Sequence, residues 1–531
     1  YKYSFIIDLV NGRAYWNMSR LYGHPFFGTI IRPMIKYIDH EAARSFEDLA
    51  RTGEFKPARP RVPLRRLVME AAVALRTWIG FPWFAGPDAI QRTCDEYWVL
   101  ADAYDAMDLE NRSIPELITE VREFGLVSAR CAFPMMMVAS KGLWGSLIIE
   151  RLTRQWPDIH TTELIAGIPG NKTTEGALEL YKLSLMPKML KPLFRRGKFD
   201  DLETELRQTT EGRKYLKRLD DFLSLYGHRG LKDLDMSYPC WKEEKTYVFQ
   251  MIKNYLQFGP DDKTPLQQYE EAKQRRLALT AEIERRLTST MLSRVFPVKR
   301  ALFRLGLKLA HDYFPLRENE KYYGLKCYPG SRRIVLEIGR RYHQAGLLND
   351  PQDVFFLTIP EVERIERTEN KDINNLQSLI ESRRREWKER IDAKPPFIVR
   401  SDGQPWSAAV ARSDGNVLRG IAASSGTAAG VARIIREPAE AWRFNKGEIL
   451  VAPYTEPGWA PLFLLARALV MEVGGAVCHG AIVAREYGIP AVVGARGATE
   501  AIRDGEEITV DGDAGLVMTA RGAENPNGKT G

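Results

Sequence analysis

His479 stands in a run, Gly474–Gly494, whose residue types suit phosphoryl chemistry. An apolar stretch, Ala468 to Val473, reads as a buried strand. Gly474 and Gly475 break it and let the backbone turn sharply. The spacing then predicts a short helix over 479–487, with Ile482 and Val483 on its inner face. Gly488 and Pro490 stop the helix, and Ala491–Val493 read as the next buried strand. His479 is thereby placed at a helix mouth, where unpaired N–H groups and the positive end of the dipole gather. That position favours a neutral, nucleophilic imidazole and stabilises a phosphoryl group carried on it. The dipole contributes about 0.3–1 kcal/mol. The plain alternative is a histidine with a purely structural hydrogen bond. Cys478 beside it reads equally as a small filler under the turn.

Two other groups carry chemistry. Tyr226-Gly227-His228-Arg229-Gly230, followed by Asp233 and Asp235, closes a helical stretch. His228 there is either a general base for a hydroxyl or a helix-end histidine tied to Asp233 or Asp235. Arg317 and Lys321 lie four apart, hence on one helix face. They can bind an incoming phosphoryl group or position its acceptor. The plain alternative is a salt-bridged helix with Glu318 and Glu320 as partners. Arg485 is either a phosphate ligand or an anchor for Glu486.

The elements that must position these groups fall into two textures. Tyr3–Trp16 suggests a hairpin turning at Asn11-Gly12. From about residue 30 to 390 the pattern is mainly helical, with amphipathic stretches at Arg65–Trp78, Asp95–Met107, Ile114–Gly145, Leu202–Leu225, Pro265–Tyr313 and Ile334–Ala345. Asp350–Thr358 reads as a turn into a short strand, and Pro360 opens the next helix. Breakers between Lys394 and Ser407 mark a linker. Beyond it come short β-like runs: Val417–Ala422, Ala429–Ile435, Glu448–Ala452, Ala468–Val473, Ala491–Val493, Glu507–Val510 and Leu516–Met518. The expected division is a mainly α-helical domain over 1–393, a linker over 394–411, an α/β domain over 412–521, and a disordered tail over 522–531. Trp78, Phe81, Trp83, Tyr97, Trp98, Trp144 and Met135–Met137 read as core, or as the lining of an apolar acceptor pocket.

Composition narrows the partners. The chain has 531 residues and a formal net charge of +8, and its basic clusters are scattered, which argues against a nucleic-acid surface. The five cysteines are far apart, without a Cys-x-x-Cys pair, so neither a disulfide framework nor a zinc site is indicated. A reducing, cytoplasmic setting is expected. The most apolar window, Cys131–Ile149, carries Pro134 and Lys141, which argues against a membrane span.

The Gly474–Gly494 run resembles the phosphohistidine signature of the swivelling domain in phosphoenolpyruvate-utilising enzymes. The likeness extends to Thr455-Glu456-Pro457-Gly458-Trp459-Ala460-Pro461 upstream, and to Asp504-Gly505, Val510-Asp511-Gly512 and Gly515 downstream. It implies that His479 carries a phosphoryl group between two distant sites, with Thr455, Cys478, Gly480 and Arg485 around it. Cys478 stands where many members have Ser or Thr. The Tyr-Gly-His-Arg stretch and the Arg317-Glu318-x-x-Lys321 element are similar to the acceptor domain of the rifampin phosphotransferase branch. That likeness implies His228 as a catalytic group and Arg229, Arg317 and Lys321 as phosphoryl or substrate ligands. The layout also resembles the larger subunit of phenylphosphate synthase. The resemblance implies ATP and Mg²⁺, bound by an ATP-grasp-type domain upstream of Tyr1 or on another subunit, and a hydroxyl acceptor, with a phenolic one expected. AMP and phosphate are the implied by-products. A rifamycin-type antibiotic phosphotransferase and a non-catalytic phosphocarrier subunit are the alternatives. A ring walled in on every side by an immovable lobe would oppose the relay.

Overall fold

A computed structural model of the chain describes residues 7–10, 13–16, 40–51, 87–233, 235–368, 373–392, 398–400, 404–406, 417–476 and 478–519. The expected hairpin is present as β1 (Ile7–Val10) paired antiparallel with β2 (Arg13–Trp16). Helices then dominate: α1 (His40–Arg51), α2 (Pro87–Asp105), α3 (Ile114–Thr153), α4 (Lys172–Ser184), α5 (Thr210–Tyr226), α6 (Thr246–Tyr255), α7 (Pro265–Leu287), α8 (Val298–Gly324) and α9 (Tyr328–Gln344). The expected helices at Arg65–Trp78 and the tail over 522–531 lie outside the described residues.

Local chemistry explains the boundaries. The α7 start is fixed by a capping box in which Gln267 N donates to Thr264 Oγ1 at 3.3 Å and Thr264 N donates to Gln267 Oε1 at 2.8 Å. Pro265 follows, where a missing N–H is harmless. The segment expected as one helix over Leu202–Leu225 is two, Leu202–Arg207 and α5. The break comes where Thr209 caps α5 by accepting from the Gly212 amide. The strand expected near Asp350–Thr358 is a 3₁₀ turn, Pro351–Phe356. Asp350 accepts from Gln352 N there, and that local bond competes with extended pairing.

Helices α3 and α8 cross where a Cβ on Gly145 would lie 2.5 Å from the Gly306 carbonyl oxygen, so the two backbones touch. Pro315 lies inside α8. It removes one helical N–H just before the Arg317–Lys321 turn. No described helix is long and apolar enough to cross a membrane.

The carboxy-terminal part is an α/β lobe. Its strands are β5 (Val417–Arg419), β6 (Ile421–Ser424), β7 (Thr427–Ile434), β8 (Ile449–Ala452), β9 (Ala468–Met471), β10 (Ala491–Val493), β11 (Glu507–Asp511) and β12 (Leu516–Thr519). They form one mixed sheet in the order β5-β12-β11-β7-β8-β9-β10-β6. The four central strands, β7 to β10, are parallel. The outer pairs are antiparallel. The expected Val417–Ala422 strand is split between β5 and β6, which lie at opposite edges. Between them, Gly420 has no room for a Cβ beside the Val493 carbonyl.

Strands β8 to β10 are buried on both faces, and alternate residues serve different cores. Ile449 and Val451 pack on one side of the sheet, while Leu450 and Ala452 face the other. The second face is continuous with the helical core, through Trp459, Leu462 and Phe463 against Tyr247 and Tyr255. The helical part and the sheet lobe are therefore docked across an apolar seam. Within the expected linker, β3 (Ile398–Val399) pairs with β4 (Pro405–Trp406); most of its remaining residues lie outside the described ones.

Candidate active site

The strand–turn–helix expected around His479 is present. β9 ends at Met471, and Gly474 adopts φ +140°, in the region that favours glycine. The helix α10 then runs His479–Tyr487, with Gly488 left-handed at its end. Cys478 is the N-cap residue and packs under the turn: a Cβ on Gly474 would lie 2.8 Å from its Sγ. Burial pushes the Cys478 thiol up, away from the reactive thiolate. Gly480 admits no side chain, because a Cβ there would meet Thr455 Oγ1 at 2.7 Å and press on Met471 Sδ. Thr455, Met471 and Gly480 together hold the first turn of α10 against the sheet.

His479 is 8% exposed. Its Nδ1 lies 2.5 Å from Glu318 Oε2, on α8 of the helical part. Glu318 is itself buried and pairs with Arg317 at 2.6 Å. Burial works to raise the Glu318 carboxyl, but His479, Arg317 and Lys321 outweigh it and hold it down to about 2. Burial pushes the His479 imidazole below its ordinary value, against the pull of Glu318, and Lys321 and Arg229 add to that effect.

The buried ring among Lys321 and Arg229 makes the neutral form the better description, with a carboxylate accepting from Nδ1–H. That tautomer leaves the lone pair on Nε2. The Nε2 atom is buried without a hydrogen-bond partner. The rest of the enclosure includes Phe463, whose ring centroid is 6.3 Å away. The wall on the Nδ1 side belongs to the other lobe, so separation of the lobes opens it.

The other expected site residues divide. Arg317 and Lys321 lie on the α8 turn that faces His479. Arg229 is buried, donating to Asp233 Oδ2 at 3.1 Å and to Thr173 Oγ1 at 2.9 Å. It contributes positive potential at His479 rather than a free ligand hand. His228 Nε2 meets the Tyr322 carbonyl oxygen at 2.8 Å, and its ring packs edge-on to Trp98 and Tyr322. The expected tie to Asp233 or Asp235 is therefore replaced by a main-chain bond, and burial holds the ring well below its ordinary value. Arg485 anchors neither Glu486 nor an exposed phosphate cradle: it is buried and donates to the Ala423 carbonyl at 2.5 Å and to that of Ala476. Among the aromatics, Tyr97 is buried and Trp144 is exposed. Nothing is described for Trp78, Phe81 and Trp83, or for the side chains of Met135–Met137.

Glu318 is the residue that sequence reasoning passed over. From the sequence it reads only as a salt-bridge partner inside the Arg317–Lys321 element. Glu456 is a second. It sits one residue beyond Thr455, and burial and then Asp233 push its carboxyl up while Lys321 pulls against them. A cleft of about 440 Å³ opens at the far end of α10, lined by residues such as Arg275, Ser425, Arg485 and Gly488, and away from His479. Among the described residues, no group of three or more His, Cys, Asp or Glu is placed to hold a metal ion.

Comparison with known proteins agrees with this geometry. Residues 444–515 match the family described as PEP-utilising enzyme, mobile domain, and residues 134–318 match the rifampicin phosphotransferase fourth domain. Over residues 444–515 the chain thus carries the mobile domain of phosphoenolpyruvate-utilising enzymes. It is 33% identical over 365 residues to a rifampicin phosphotransferase of Streptomyces sviceus, covering 67% of this chain and 40% of that protein. It is 31% identical over 393 residues to an uncharacterized phosphotransferase, YvkC, of Bacillus subtilis, covering 70% of this chain and 45% of that protein. It is 30% identical over 360 residues to the prodigiosin synthesizing transferase PigC of Serratia marcescens, covering 66% of this chain and 39% of that protein. The matched region thus spans less than half the length of each of these relatives.

Proposed function

We propose that this chain is the acceptor side of a phosphotransferase that works by a histidine relay. His479 Nε2 takes up a phosphoryl group while the α/β lobe is separated from the helical part, and passes it on in the docked pose described above. The observation that carries this reading is the His479–Glu318 pair: one ring nitrogen is fixed by a carboxylate, and the other is buried without a partner, within the field of Lys321 and Arg229. In the transfer, the P–N bond to Nε2 breaks as the P–O bond to an acceptor hydroxyl forms; the electron pair returns to Nε2, which then takes up the hydroxyl proton. Glu318 holds Nδ1–H throughout. Lys321 and Arg317 offset charge on the transferring group.

The ultimate donor is ATP with Mg²⁺, held by an ATP-grasp-type domain or subunit; the described residues supply no acidic cluster suited to the metal. The lobe is taken to turn about the expected linker, Lys394–Ser407, most of which lies outside the described residues. The acceptor is a small hydroxyl compound. The fourth-domain match and the relatives named rifampicin phosphotransferases favour a rifamycin-type acceptor over a simple phenol. A cytoplasmic setting completes the reading.

The test is charging with ATP labelled on the β-phosphate, in the presence of the nucleotide-binding unit, followed by a chase with rifampicin or with phenol. Acid-labile label on the wild type, absent from His479→Ala, supports the relay. Label that persists on the alanine variant overturns it. The chase that releases label into an organic phosphate decides between the acceptors.

A further inference from the structure

The docked pose is gauged a second time, at the other end of α10. Glu486 is 2% exposed, and its Oε2 accepts from the Ile168 amide at 2.9 Å. Ile168 belongs to the loop that leads into α4. The same loop is gripped from the opposite side by Asn319, the residue after Glu318: Asn319 Oδ1 accepts from Lys172 N at 2.9 Å, and its Nδ2 donates to the Gly170 carbonyl at 2.8 Å. Next to Glu486, Tyr487 donates to the Thr174 carbonyl at 3.2 Å. The loop and the start of α4 are thus held by α8, at the residue next to Glu318, and by α10, about two turns along the helix from His479. The loop cannot shift without moving both.

We propose that Glu486 is the positioning residue that sets the docked register of His479, and that it seats as the neutral acid, so that docking in this pose takes up one proton. The inference rests on the relay reading for its purpose, but its physical content stands on the clasp. The groups facing Glu486 are Arg276 and Tyr269 on α7, Arg485 on its own helix, and Glu318 on α8. Burial pushes the Glu486 carboxyl up to about 8; the Ile168 amide, Arg276 and Arg485 oppose that rise, and Glu318 adds to it. Arg485 is committed to main-chain carbonyls, and burial works against the charge of Arg276. A separated lobe returns Glu486 to water and to an ordinary carboxyl value.

The sign follows from linkage. A group protonated in the docked state and ionised in the separated state favours docking less as pH rises, from the ordinary carboxyl value up to about 8. His479 acts the other way, but mainly below its ordinary value of 6.5, and Glu318 only below 4.5. Between pH 6.5 and 8 Glu318 is silent, and His479 contributes at most about half a proton, fading as pH rises and common to the wild type and the Glu486 variant. Glu456 sits elsewhere on the seam and titrates in the same direction as Glu486, so the test isolates one proton rather than the whole slope.

The experiment is hydrogen exchange of the Ile168 amide in the full chain, read by mass spectrometry as a protection factor between pH 6.5 and 8. The variants are Glu486→Gln and, as the control for the second carboxyl, Glu456→Gln. Wild-type protection should fall with pH, and Glu486→Gln should flatten the slope by about tenfold per pH unit while retaining protection at pH 6.5. Glu456→Gln should leave that Glu486 share in place. A Glu486→Gln protein with the wild-type slope overturns the inference. So does one that loses protection at every pH, because the amide keeps the acceptor and the shape. Failure of the relay itself shows separately, as absence of label on His479 in the charging experiment.

Discussion

Glu318 and His479 are 161 residues apart in the chain, yet Oε2 of one lies 2.5 Å from Nδ1 of the other. The pair joins the helical part to the α/β lobe through Nδ1, the ring nitrogen across Cε1 from the Nε2 that would carry phosphorus in the proposed relay. Glu318→Gln keeps the shape and removes the charge that steadies the ring. Discharge of phospho-His479 to the acceptor should fall by about 10²-fold or more. Charging should change little, because the donor meets the ring in a different pose. Single-turnover measurements of the two half-reactions check this.

Lys321 and Arg317 share the α8 turn with Glu318, but Arg317 is tied to that carboxylate. Lys321→Met should slow discharge by about 10²–10³-fold, the usual effect of removing one donor aimed at developing charge. Arg317→Ala should do less to the chemistry, and it should loosen Glu318. A larger effect at Arg317 than at Lys321 would reverse this assignment.

Gly480 shows how tightly the lobe holds its histidine. Gly480→Ala drives a methyl into Thr455 Oγ1 and Met471 Sδ. The strain of overpacking, about 1–3 kcal/mol, exceeds the gain of about 0.5–1 kcal/mol from replacing a helical glycine. Urea unfolding of the α/β lobe should show a net loss of stability, and a neutral or stabilising change would contradict the packing.

Gly458→Ala separates docking from folding. A Cβ there runs into the carbonyl oxygen of Gly230 in the helical part, while Tyr247 donates to the Gly458 carbonyl at 2.8 Å. The clash lies between the parts rather than within either. Small-angle scattering should show an expanded molecule with secondary structure unchanged in circular dichroism. Discharge of phospho-His479 should slow with it.

Much of the α/β lobe was legible in the sequence. Its strands are short apolar runs punctuated by glycines, and the predicted bounds of α10 coincide with the observed ones because Gly474 and Gly488 occupy conformations other residues avoid. The helical part was legible as helices but not as breaks: one helix ends at Arg207 and Thr209 caps the next, and the glycine that lets them meet, Gly212, lies inside the second helix rather than in the break. The site was half legible. His479, Arg317 and Lys321 stand on recognisable local patterns. Glu318, Asn319 and Glu486 act only through contacts that span the chain, and a charged residue on a helix looks the same in sequence whether it faces solvent or a buried imidazole. Arg485 and His228 illustrate the converse, since both hold main-chain carbonyls that no side-chain pattern announces.

The meeting of Gly458 with Gly230 has one more consequence. A stop made of two main chains does not vary with rotamer, charge state or salt. In the relay proposed above, each return of the lobe would therefore end at a depth fixed by covalent geometry, and changes on the helical side that altered the acceptor would leave that depth as it is.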